Sequence, residues 1–530
     1  MLTPGDVCLV NEIYRMNKPM NVLFITADQW RGECLSVLGH PHVSTPNLDA
    51  LAREGVLFRN HFAQATPCAP SRSSLHTGMY LQNHRCVING APLDNRFSNW
   101  AREVSAAGYQ PSLFGYTDSA IDPRGLDADD PRLHHYSEPL PGIASYTPMW
   151  DEVPVEWVEY LKQKGYPMLD RPWSLYSVTE PGVDWAQGGE QVLPLAIKAE
   201  DHETHYMVDR CMDWIGAQQD SWVTHLSLLR PHPPFAAPEP YNSHHDPRQM
   251  PAPLRAASPA DEASQHPLLD YFINHSKYRA PGEVRQTQQD MVNYFGLIDE
   301  VDDNLGRLFA SLKERGHWDS TLIIFTTDHG EQLGDHWLMS KLGFYDQSYH
   351  IPLIIRDPRQ QADAMRGAQI SGFSESVDLM PTMLDWLGLD VPSQCDGFSL
   401  LPAIRDGVMP PGWREEAHWE CDFRNVRDDS VEQHLGVTMH QCGLSVIRDH
   451  RYKYVHFAGL PPLFYDLQED PGEFVNQAKN PAYTERVLEY AQKMLSWKIN
   501  HADRGLTETM LGEGGAVTRR APLRHISGAR

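Results

Sequence analysis

The stretch NVLFITAD at residues Asn21–Asp28 decides the fold class of this 530-residue chain. Its unbroken apolar run has the length of a strand, and such a run is typical of a parallel strand that is buried on both faces. Similar runs occur at 222–229 and 321–327, and a helical pattern at 288–315 precedes the second of them. Strands that alternate with helices predict an α/β fold with a large, mostly parallel sheet flanked by helices.

The pattern changes near residue 375 and indicates a second, smaller unit. Short strand-like runs at 452–457 and 463–467 precede an amphipathic helical pattern at 483–499. A chain of this length favours a main domain with a smaller companion. In chain order we predict an N-terminal extension (1–19), a larger α/β domain that carries the chemistry (20–375), a smaller C-terminal α/β domain (376–504) and a C-terminal arm or tail (505–530).

Composition argues against several classes of partner. The chain has 45 Lys and Arg against 70 Asp and Glu, a formal net charge of −25, whereas nucleic acid is bound through clustered cations. No apolar run reaches the roughly 18 residues of a membrane span, so we expect no membrane partner. Asp6 and Glu12 interrupt the N-terminal segment, which does not resemble a secretory signal, and we expect a cytoplasmic location. The eight cysteines lack the spacing of a disulfide framework or a zinc site.

Polar side chains follow the predicted buried strands where each strand ends. Asp28 and Gln29 follow the first strand, His232 follows the strand at 222–229, and Asp328 and His329 follow the strand at 321–327. Ligands gather beyond the carboxyl ends of parallel strands, so we expect these residues at one site. Carboxylate and amide oxygens suit Ca²⁺ or Mg²⁺, and an imidazole nitrogen leaves Mn²⁺ possible. One divalent ion is the simplest fit.

The stretch TPCAPSRSSLHTG at 66–78 contains the pattern Cys-x-Pro-x-Arg, with Cys68 placed just before a helix predicted over Ser71–Leu81. A helix N-terminus attracts anions. Together with RPHPPF at 230–235 and DHGEQLGDH at 328–336, this stretch resembles the type I sulfatases of the alkaline phosphatase superfamily. The chain is most similar to the phosphonate monoester hydrolases and their related arylsulfatases within that superfamily.

The resemblance implies a set of roles. Cys68 would be converted to formylglycine by a formylglycine-generating maturation enzyme, and the hydrated aldehyde would be the nucleophile. Arg72 would steady this nucleophile, while His232 and Lys341 would contact the anionic oxygens or the leaving group of a small anionic ester. The resemblance also implies a homodimer or homotetramer. One divalent ion, Ca²⁺ or Mn²⁺ with Mg²⁺ as a further candidate, would be held by Asp28, Gln29, Asp328, His329 and the modified Cys68.

One departure from the sequence pattern of the family narrows the class of substrates that we expect. Many sulfatases have a Gly-Lys-Trp-His segment where this chain has Gly-Tyr-Thr-Asp at 115–118. Loss of the Lys and His removes positive charge from the expected pocket, which disfavours dianionic phosphate monoesters and favours monoanionic esters. Tyr116 and Thr117 are predicted to bind the substrate as neutral hydrogen-bond donors. The segments 133–194 and 242–281, rich in Pro, aromatic and His residues, are predicted to wall the pocket.

The sequence therefore predicts an arylsulfatase with promiscuous phosphonate monoester and phosphate diester activity. A phosphonate monoester hydrolase or phosphodiesterase is the main alternative, although Ser71 in Cys-Ala-Pro-Ser-Arg is closer to ordinary sulfatases. A two-metal phosphatase or phosphomutase would need a second cluster of metal ligands. The only candidates for it in the sequence are Asp335 and His336. A remote alternative is a non-catalytic metal-binding protein in which Cys68 remains a thiol.

Overall fold

A computed structural model describes residues 20–149, 154–167, 175–176, 193–410 and 412–519. The predicted N-terminal extension at 1–19 and the end of the predicted tail, 520–530, lie outside the described residues. No helix within the described ranges is both long enough and apolar enough to cross a membrane.

The main sheet has eight strands, and its central strand is the run that begins at Asn21. Every residue of that strand is buried, and the strand pairs in parallel with a neighbour on each side. A single strand, His350–Arg356, runs antiparallel to its two neighbours. This arrangement confirms the predicted large, mostly parallel sheet. From one edge to the other the order is β5 (Ala144–Pro148), β4 (Ser112–Gly115), β6 (Val223–Leu228), β1 (Asn21–Ala27), β7 (Thr321–Thr326), β8 (His350–Arg356), β2 (Val56–Phe62) and β9 (Ala368–Glu375).

Helices cover both faces of this sheet. Alternate residues of β1 belong to different hydrophobic clusters, with Leu23 and Ile25 in one cluster and Val22 and Phe24 in the other. A strand that buries both faces is mostly apolar on both of them, which explains the apolar run in β1. The helices are α1 (Pro46–Glu54), α2 (Cys68–Thr77), α3 (Leu81–His84), α4 (Trp100–Ala106), α5 (Val155–Gln163), α6 (Glu203–Ala217), α7 (Pro259–Ala263), α8 (Pro267–Asn274), α9 (Val284–Glu314), α10 (Asp346–Tyr349), α11 (Leu379–Leu387), α12 (Leu401–Asp406), α13 (Ser430–Leu435) and α14 (Thr484–Asn500).

The helix next to the Cys-x-Pro-x-Arg motif differs from the prediction. We predicted Ser71–Leu81, but helix α2 begins at Cys68 and ends at Thr77. Gly78 follows in the left-handed conformation, with φ of 69°, and stops the helix. The short helix α3 then begins at Leu81. Cys68 therefore lies in the first turn of the helix instead of ahead of it.

A second sheet of five strands ties the C-terminal part of the chain to the Cys68 region. Four of its strands lie between residues 417 and 466. The fifth, β3 (Ala65–Thr66), comes just before Cys68 and pairs in parallel with β10 (Ala417–Asp422). The division of the chain at residues 375 and 504 stays a prediction. The strands outside the main sheet are β3 (Ala65–Thr66), β10 (Ala417–Asp422), β11 (Gly443–Arg448), β12 (Tyr452–Phe457), β13 (Leu463–Asp466) and a separate hairpin of β14 (Thr509–Gly512) and β15 (Gly515–Thr518).

Candidate active site

The ends of four neighbouring strands bring the predicted polar residues to one edge of the main sheet. Asp28 follows β1, Asp328 follows β7, Tyr116 follows β4 and His232 follows β6. The turn after β4 requires glycine, because Gly115 has a φ of 112° and a Cβ there would lie 1.9 Å from the Ser227 carbonyl oxygen. The sheet edge thus forms the floor of the site, as the strand pattern predicted.

Helix α2 carries Cys68 into this floor. All ten residues of the helix are buried. The Ser71 hydroxyl donates a 2.5 Å hydrogen bond to the backbone carbonyl of Asp328, which joins the helix to the strand end. On the other side, the Ala69 N–H donates to the Asn89 side-chain oxygen at 3.0 Å. The Ser71 hydroxyl is therefore used in a hydrogen bond to the backbone. This bond does not favour a contact between Ser71 and the substrate, although Ser71 is the residue that resembles ordinary sulfatases.

Three side chains converge around Cys68 in a way that fits one metal ion. Ligand atoms of Asp28, Cys68, Asp328 and His329 all lie within 4.8 Å of one another, and all four residues are buried. His329 Nδ1 donates to the Gly330 carbonyl at 3.1 Å, which leaves Nε2 unprotonated and 3.2 Å from Cys68 Sγ. Asp28 Oδ1 has no hydrogen-bond partner among the described residues, although it is buried. A buried carboxylate oxygen without a partner is costly, so this donor set fits a divalent cation.

Arg72 links the two carboxylates of this cluster. Its Nε donates to Asp328 at 2.9 Å and one terminal nitrogen donates to Asp28 at 3.0 Å. The other terminal nitrogen donates to the Tyr116 carbonyl and the Ser227 hydroxyl. Because these bonds occupy the guanidinium, Arg72 acts on the position of the two carboxylates. Its predicted role of steadying the nucleophile stays a prediction, and the geometry makes that role an indirect one.

The electrostatics of the cluster favour an ionised Asp28 and a neutral Cys68 thiol. Burial opposes ionisation of Asp28, but the charges of His232, Lys341 and Arg72 together lower its pKa below the usual range. At Cys68 burial dominates, and it raises the pKa of the thiol well above its ordinary value in spite of Lys341. An unmodified Cys68 thiol would therefore stay protonated and would be a weak nucleophile.

We call the group of Asp28, Cys68, Asp328 and His329 the metal-type cluster. Gln29 and Lys341 form a second layer of contacts beside it. Lys341 Nζ donates a 2.5 Å hydrogen bond to Gln29 Oε1, and the Gln29 amide nitrogen donates to Glu331. Glu331 also accepts hydrogen bonds from the backbone N–H groups of Leu333 and Ser340. These contacts fix the amide of Gln29 at the site, although its predicted role as a metal ligand stays a prediction.

His232 and Tyr116 line the same cavity as Cys68, but only His232 keeps an unoccupied polar atom there. His232 Nδ1 donates to the Pro233 carbonyl at 2.7 Å, which leaves Nε2 as an acceptor. Burial and the nearby Lys341 lower the pKa of His232 to about 3, so the ring is neutral near pH 7. The Tyr116 hydroxyl instead donates to Asp28, and its ring lies 4.2 Å from the Arg72 guanidinium. Tyr116 thus braces the metal-type cluster.

Thr117, like the predicted site residues Arg72, Asp328 and His329, does not line the cavity. Its hydroxyl donates to the Glu138 carbonyl at 3.2 Å and accepts from the Leu140 N–H at 2.9 Å. These backbone contacts use the groups that we expected to bind substrate. The Thr117 side chain therefore orders the loop behind the site, and its contacts do not favour the predicted role in substrate binding.

The cavity above the cluster has a volume of about 1060 Å³. Part of its wall comes from the segment 242–281, as predicted, and Tyr136 contributes from the segment 133–194, part of which lies outside the described residues. Sequence reasoning missed several lining residues. Asp118 and Glu331 lie within the stretches 115–118 and 328–336 already singled out, whereas Asn89 and the stretch 422–431 gave no signal. The second sheet brings the stretch 422–431 to the site.

Comparisons with known proteins agree with this geometry. The sulfatase family model matches residues 20–389, and the C-terminal model of N-sulphoglucosamine sulphohydrolase matches residues 334–500. A multifunctional alkaline phosphatase superfamily protein from Trinickia caryophylli is 43% identical, covering 94% of this chain and 99% of its own length. An arylsulfatase from Clostridium perfringens is 27% identical over 92% of this chain and 96% of its own length.

Solved structures give the same result for the fold. The crystal structure of a phosphonate monoester hydrolase from Agrobacterium radiobacter matches with a TM-score of 0.90 and 42% identity, covering 95% of this chain and 100% of that chain. The family model spans more than half of this chain, and its range contains every residue that the sequence predicted for the site. The resemblance to the sulfatases that we inferred from the Cys68 motif is therefore confirmed. This chain belongs to the sulfatase family of hydrolases, within the alkaline phosphatase superfamily.

Proposed function

We propose that this protein hydrolyses monoanionic esters, with residue 68 as the nucleophile after its conversion to formylglycine. The observation that carries the proposal is the position of Cys68 in the first turn of buried helix α2, beside three metal-type ligands. Hydrated formylglycine would supply two hydroxyl groups, one to attack the ester and one to expel the sulfate or phosphonate afterwards. The thiol that the chain encodes, with its raised pKa, would do this poorly.

The residues around residue 68 would each have a separate role in the reaction. A divalent cation held by Asp28, Asp328, His329 and residue 68, with Gln29 as a further candidate, would supply Lewis acidity. Ca²⁺ or Mn²⁺ fits this mixture of oxygen and nitrogen donors best, and Mg²⁺ is a further candidate. Arg72 and Tyr116 hold the carboxylates in place. Lys341 remains charged, since the thiol and carboxylates beside it outweigh burial and raise its pKa, so it would neutralise charge on the ester.

His232 is the candidate for proton transfer to the leaving group. His232 lines the cavity, and its Nε2 has no hydrogen-bond partner among the described residues, while Nδ1 is fixed by the Pro233 carbonyl. A neutral imidazole can accept a proton from a hydroxyl group and can pass it on to a departing oxygen. In that role His232 would act as a base and then as an acid.

Aryl sulfates and phosphonate monoesters are both candidate substrates. The motif around Cys68 favours sulfates, whereas the relatives with about 40% identity include a protein named a phosphonate monoester hydrolase. Both esters carry one negative charge. Asp118 Oδ2 lies 3.9 Å from Arg72 Nε in the cavity wall and would repel a second charge on the reacting group. Phosphate diesters meet the same condition, so promiscuity among the three classes is expected.

Mass spectrometry of the peptide that contains Cys68 tests the nucleophile. Conversion to formylglycine makes it about 18 Da lighter in protein from a host with the maturation enzyme. Values of kcat/KM for 4-nitrophenyl sulfate, 4-nitrophenyl phenylphosphonate, bis(4-nitrophenyl) phosphate and 4-nitrophenyl phosphate then rank the substrates. We expect the last of these, a dianion, to be the poorest. A preference for it would contradict the proposal of a monoanion-selective site.

The predicted homodimer or homotetramer stays a proposal. Large apolar side chains are exposed on helix α14, at Leu488, Leu495 and Ile499, and on the hairpin of β14 and β15. Exposed apolar stripes of this kind are typical of surfaces that pack against another chain. Light scattering of the purified protein measures the number of subunits directly.

A further inference from the structure

The cavity is much larger than the reacting group of a monoanionic ester. Its volume of about 1060 Å³ is at the upper end of the range for ligand pockets, roughly 300–1,000 Å³. Cys68, Asp28 and Lys341 line its buried inner end. Lys277 and Arg427 also line it, but both are exposed and mark its mouth. The space between these two ends must be occupied by the part of the substrate that leaves.

This outer part of the cavity has an aromatic wall. Tyr271 and Phe272 come from helix α8, Tyr278 follows that helix, and Phe423 follows strand β10 of the second sheet. The rings of Phe272 and Tyr278 pack edge to face at 5.3 Å, which stiffens the wall. We call the space bounded by Tyr271, Tyr278, Lys277, Phe423 and Arg427 the outer subsite. Its aromatic faces suit a ring or another flat apolar group.

Two cations of the outer subsite lack a counter-ion. No carboxylate oxygen lies within 4.0 Å of Lys277 or Arg427 in the described part of the chain. The Lys277 ammonium lies 5.5 Å from the Tyr278 ring, a contact that leaves its charge uncompensated. Burial and the like charges of Lys341 and Arg427 lower the pKa of Lys277, and Cys68 acts in the opposite direction. The cavity is thus lined by the cation Lys341 at its inner end and by the cations Lys277 and Arg427 at its mouth.

The other charged groups at the mouth are already satisfied. Arg424 is held by both carboxylate oxygens of Asp422, at 2.8 and 2.7 Å. Asp428 accepts hydrogen bonds from the Asn425 amide at 2.7 Å and from a backbone N–H. Arg424 and Asp422 form a neutral pair and Asp428 keeps one negative charge, so the two cations Lys277 and Arg427 leave the mouth with a net positive charge. In a chain with a net charge of −25 such a pair is unusual.

We propose that the outer subsite binds a leaving group that carries its own negative charge, a carboxylate or phosphate on an aromatic alcohol. Lys277 and Arg427 would pair with that charge while the aromatic wall holds the ring. A strongly anionic protein repels anions at long range, so cations focused at the mouth would also guide such a substrate inward. This proposal rests on the proposed function, because a leaving group exists only if an ester is cleaved at residue 68.

Two esters that differ only in the charge of the leaving group test the proposal. The phenylphosphonate esters of 3-hydroxybenzoate and 3-hydroxybenzamide have the same shape, and only the first has an anionic leaving group. We expect kcat/KM for the benzoate ester to exceed that for the benzamide ester by about tenfold at low salt, mainly through KM. In the double variant Lys277→Gln/Arg427→Gln the ratio should fall to about one, and added salt should lower it in the wild type.

The matched control is Arg279→Gln. Arg279 is exposed and lies two positions from Lys277, but it does not line the cavity, so the ratio should stay at the wild-type value. A wild-type ratio of one or less would overturn the proposal, and so would a double variant that keeps the wild-type ratio. Loss of the ratio in Arg279→Gln as well would also overturn it, since the effect would then be one of overall charge.

Binding of the free alcohols separates this proposal from the proposed function. If neither ester is cleaved, the proposed function fails, yet calorimetry with 3-hydroxybenzoate and 3-hydroxybenzamide still tests the outer subsite. Tighter binding of 3-hydroxybenzoate by the wild type, lost in the double variant, would support the subsite without turnover. Equal affinities of the two alcohols for the wild type would overturn it.

Discussion

Two fully buried arginines in this protein have similar surroundings, but the clusters around them have different roles. Arg72 lies 4.2 Å from the ring of Tyr116, and Arg230 lies 4.4 Å from the ring of Tyr176. Each guanidinium donates to a buried carboxylate and to backbone carbonyls near the same edge of the main sheet. Only the cluster of Arg72 opens to the cavity, where Asp28 and Cys68 form part of the wall.

The two clusters differ in their balance of charge. Around Arg230 two carboxylates face two cations, since His202 bonds Glu203 and Glu300 at 2.7 Å each and those carboxylates raise the pKa of His202 to about 9 against its burial. Around Arg72 three carboxylates, those of Asp28, Asp118 and Asp328, lie within 4.0 Å of the guanidinium, and Lys341 is the second cation beside them, which leaves an excess of one negative charge.

This difference separates a structural cluster from a functional one. Burial of charge is common to both and is therefore no evidence for a site. An excess of buried negative charge that opens to a cavity must be met by something outside the side chains, and a divalent cation meets it. The cluster of Arg230 is balanced internally and serves to hold the chain after strand β6 in position.

The largest expected effect is the loss of activity in Cys68→Ala. Removal of the nucleophile should lower kcat by about 10³-fold or more, with thermal unfolding close to that of the wild type. Cys86→Ala is the matched control, because Cys86 is equally buried but does not line the cavity. Full activity in Cys68→Ala would contradict the assignment of residue 68 as the nucleophile.

Replacement of each arginine by methionine tests the comparison itself. Arg72→Met and Arg230→Met should each lower the free energy of unfolding by about 3–5 kcal/mol, because each leaves buried carboxylate charge unpaired. Among folded molecules, Arg72→Met should lose about 10³-fold in kcat, and Arg230→Met no more than about tenfold, through the carbonyl of His232 that it holds. Denaturant titration and kcat of the refolded fraction measure the two effects. Equal losses of kcat would erase the distinction between the clusters.

The fold and the inner site were largely predictable from the sequence, because the signals for them lie within short stretches of the chain. Apolar runs such as Asn21–Ala27 specify strands buried on both faces, and the polar residues that follow them reach one edge by topology alone. The roles of Thr117 and Arg72 were harder to predict, because they depend on which backbone groups compete for each side chain. Arg427 could not have been placed at the cavity, since pairing of the second sheet brings its loop there.

Removal of divalent metal should affect only the cluster of Arg72. With a cation at 100 times its dissociation constant, binding adds about 2.7 kcal/mol to the free energy of unfolding, and a chelator should abolish this term. The chelator-induced fall in Tm should be the same in Arg230→Met as in the wild type. It should vanish in Asp28→Asn, whose side chain lies at the centre of the ligand set. A metal-dependent Tm in Asp28→Asn equal to that of the wild type would place the cation elsewhere.

The smallest expected effect is the pH dependence of the cluster of Arg230. The pKa of His202 in the folded protein, about 9, lies above its usual 6.5, so its ionic bonds stabilise the fold fully below pH 6.5. That stability is lost as the pH rises through 9. We expect a loss of about 2 kcal/mol between pH 7 and pH 9.5 in the free energy of unfolding, and a much flatter profile in His202→Gln. Because Glu203, Glu300 and Arg230 surround the ring, a profile unchanged in His202→Gln would show that His202 is neutral in the fold. The balance of charge that distinguishes this cluster from that of Arg72 would then be wrong.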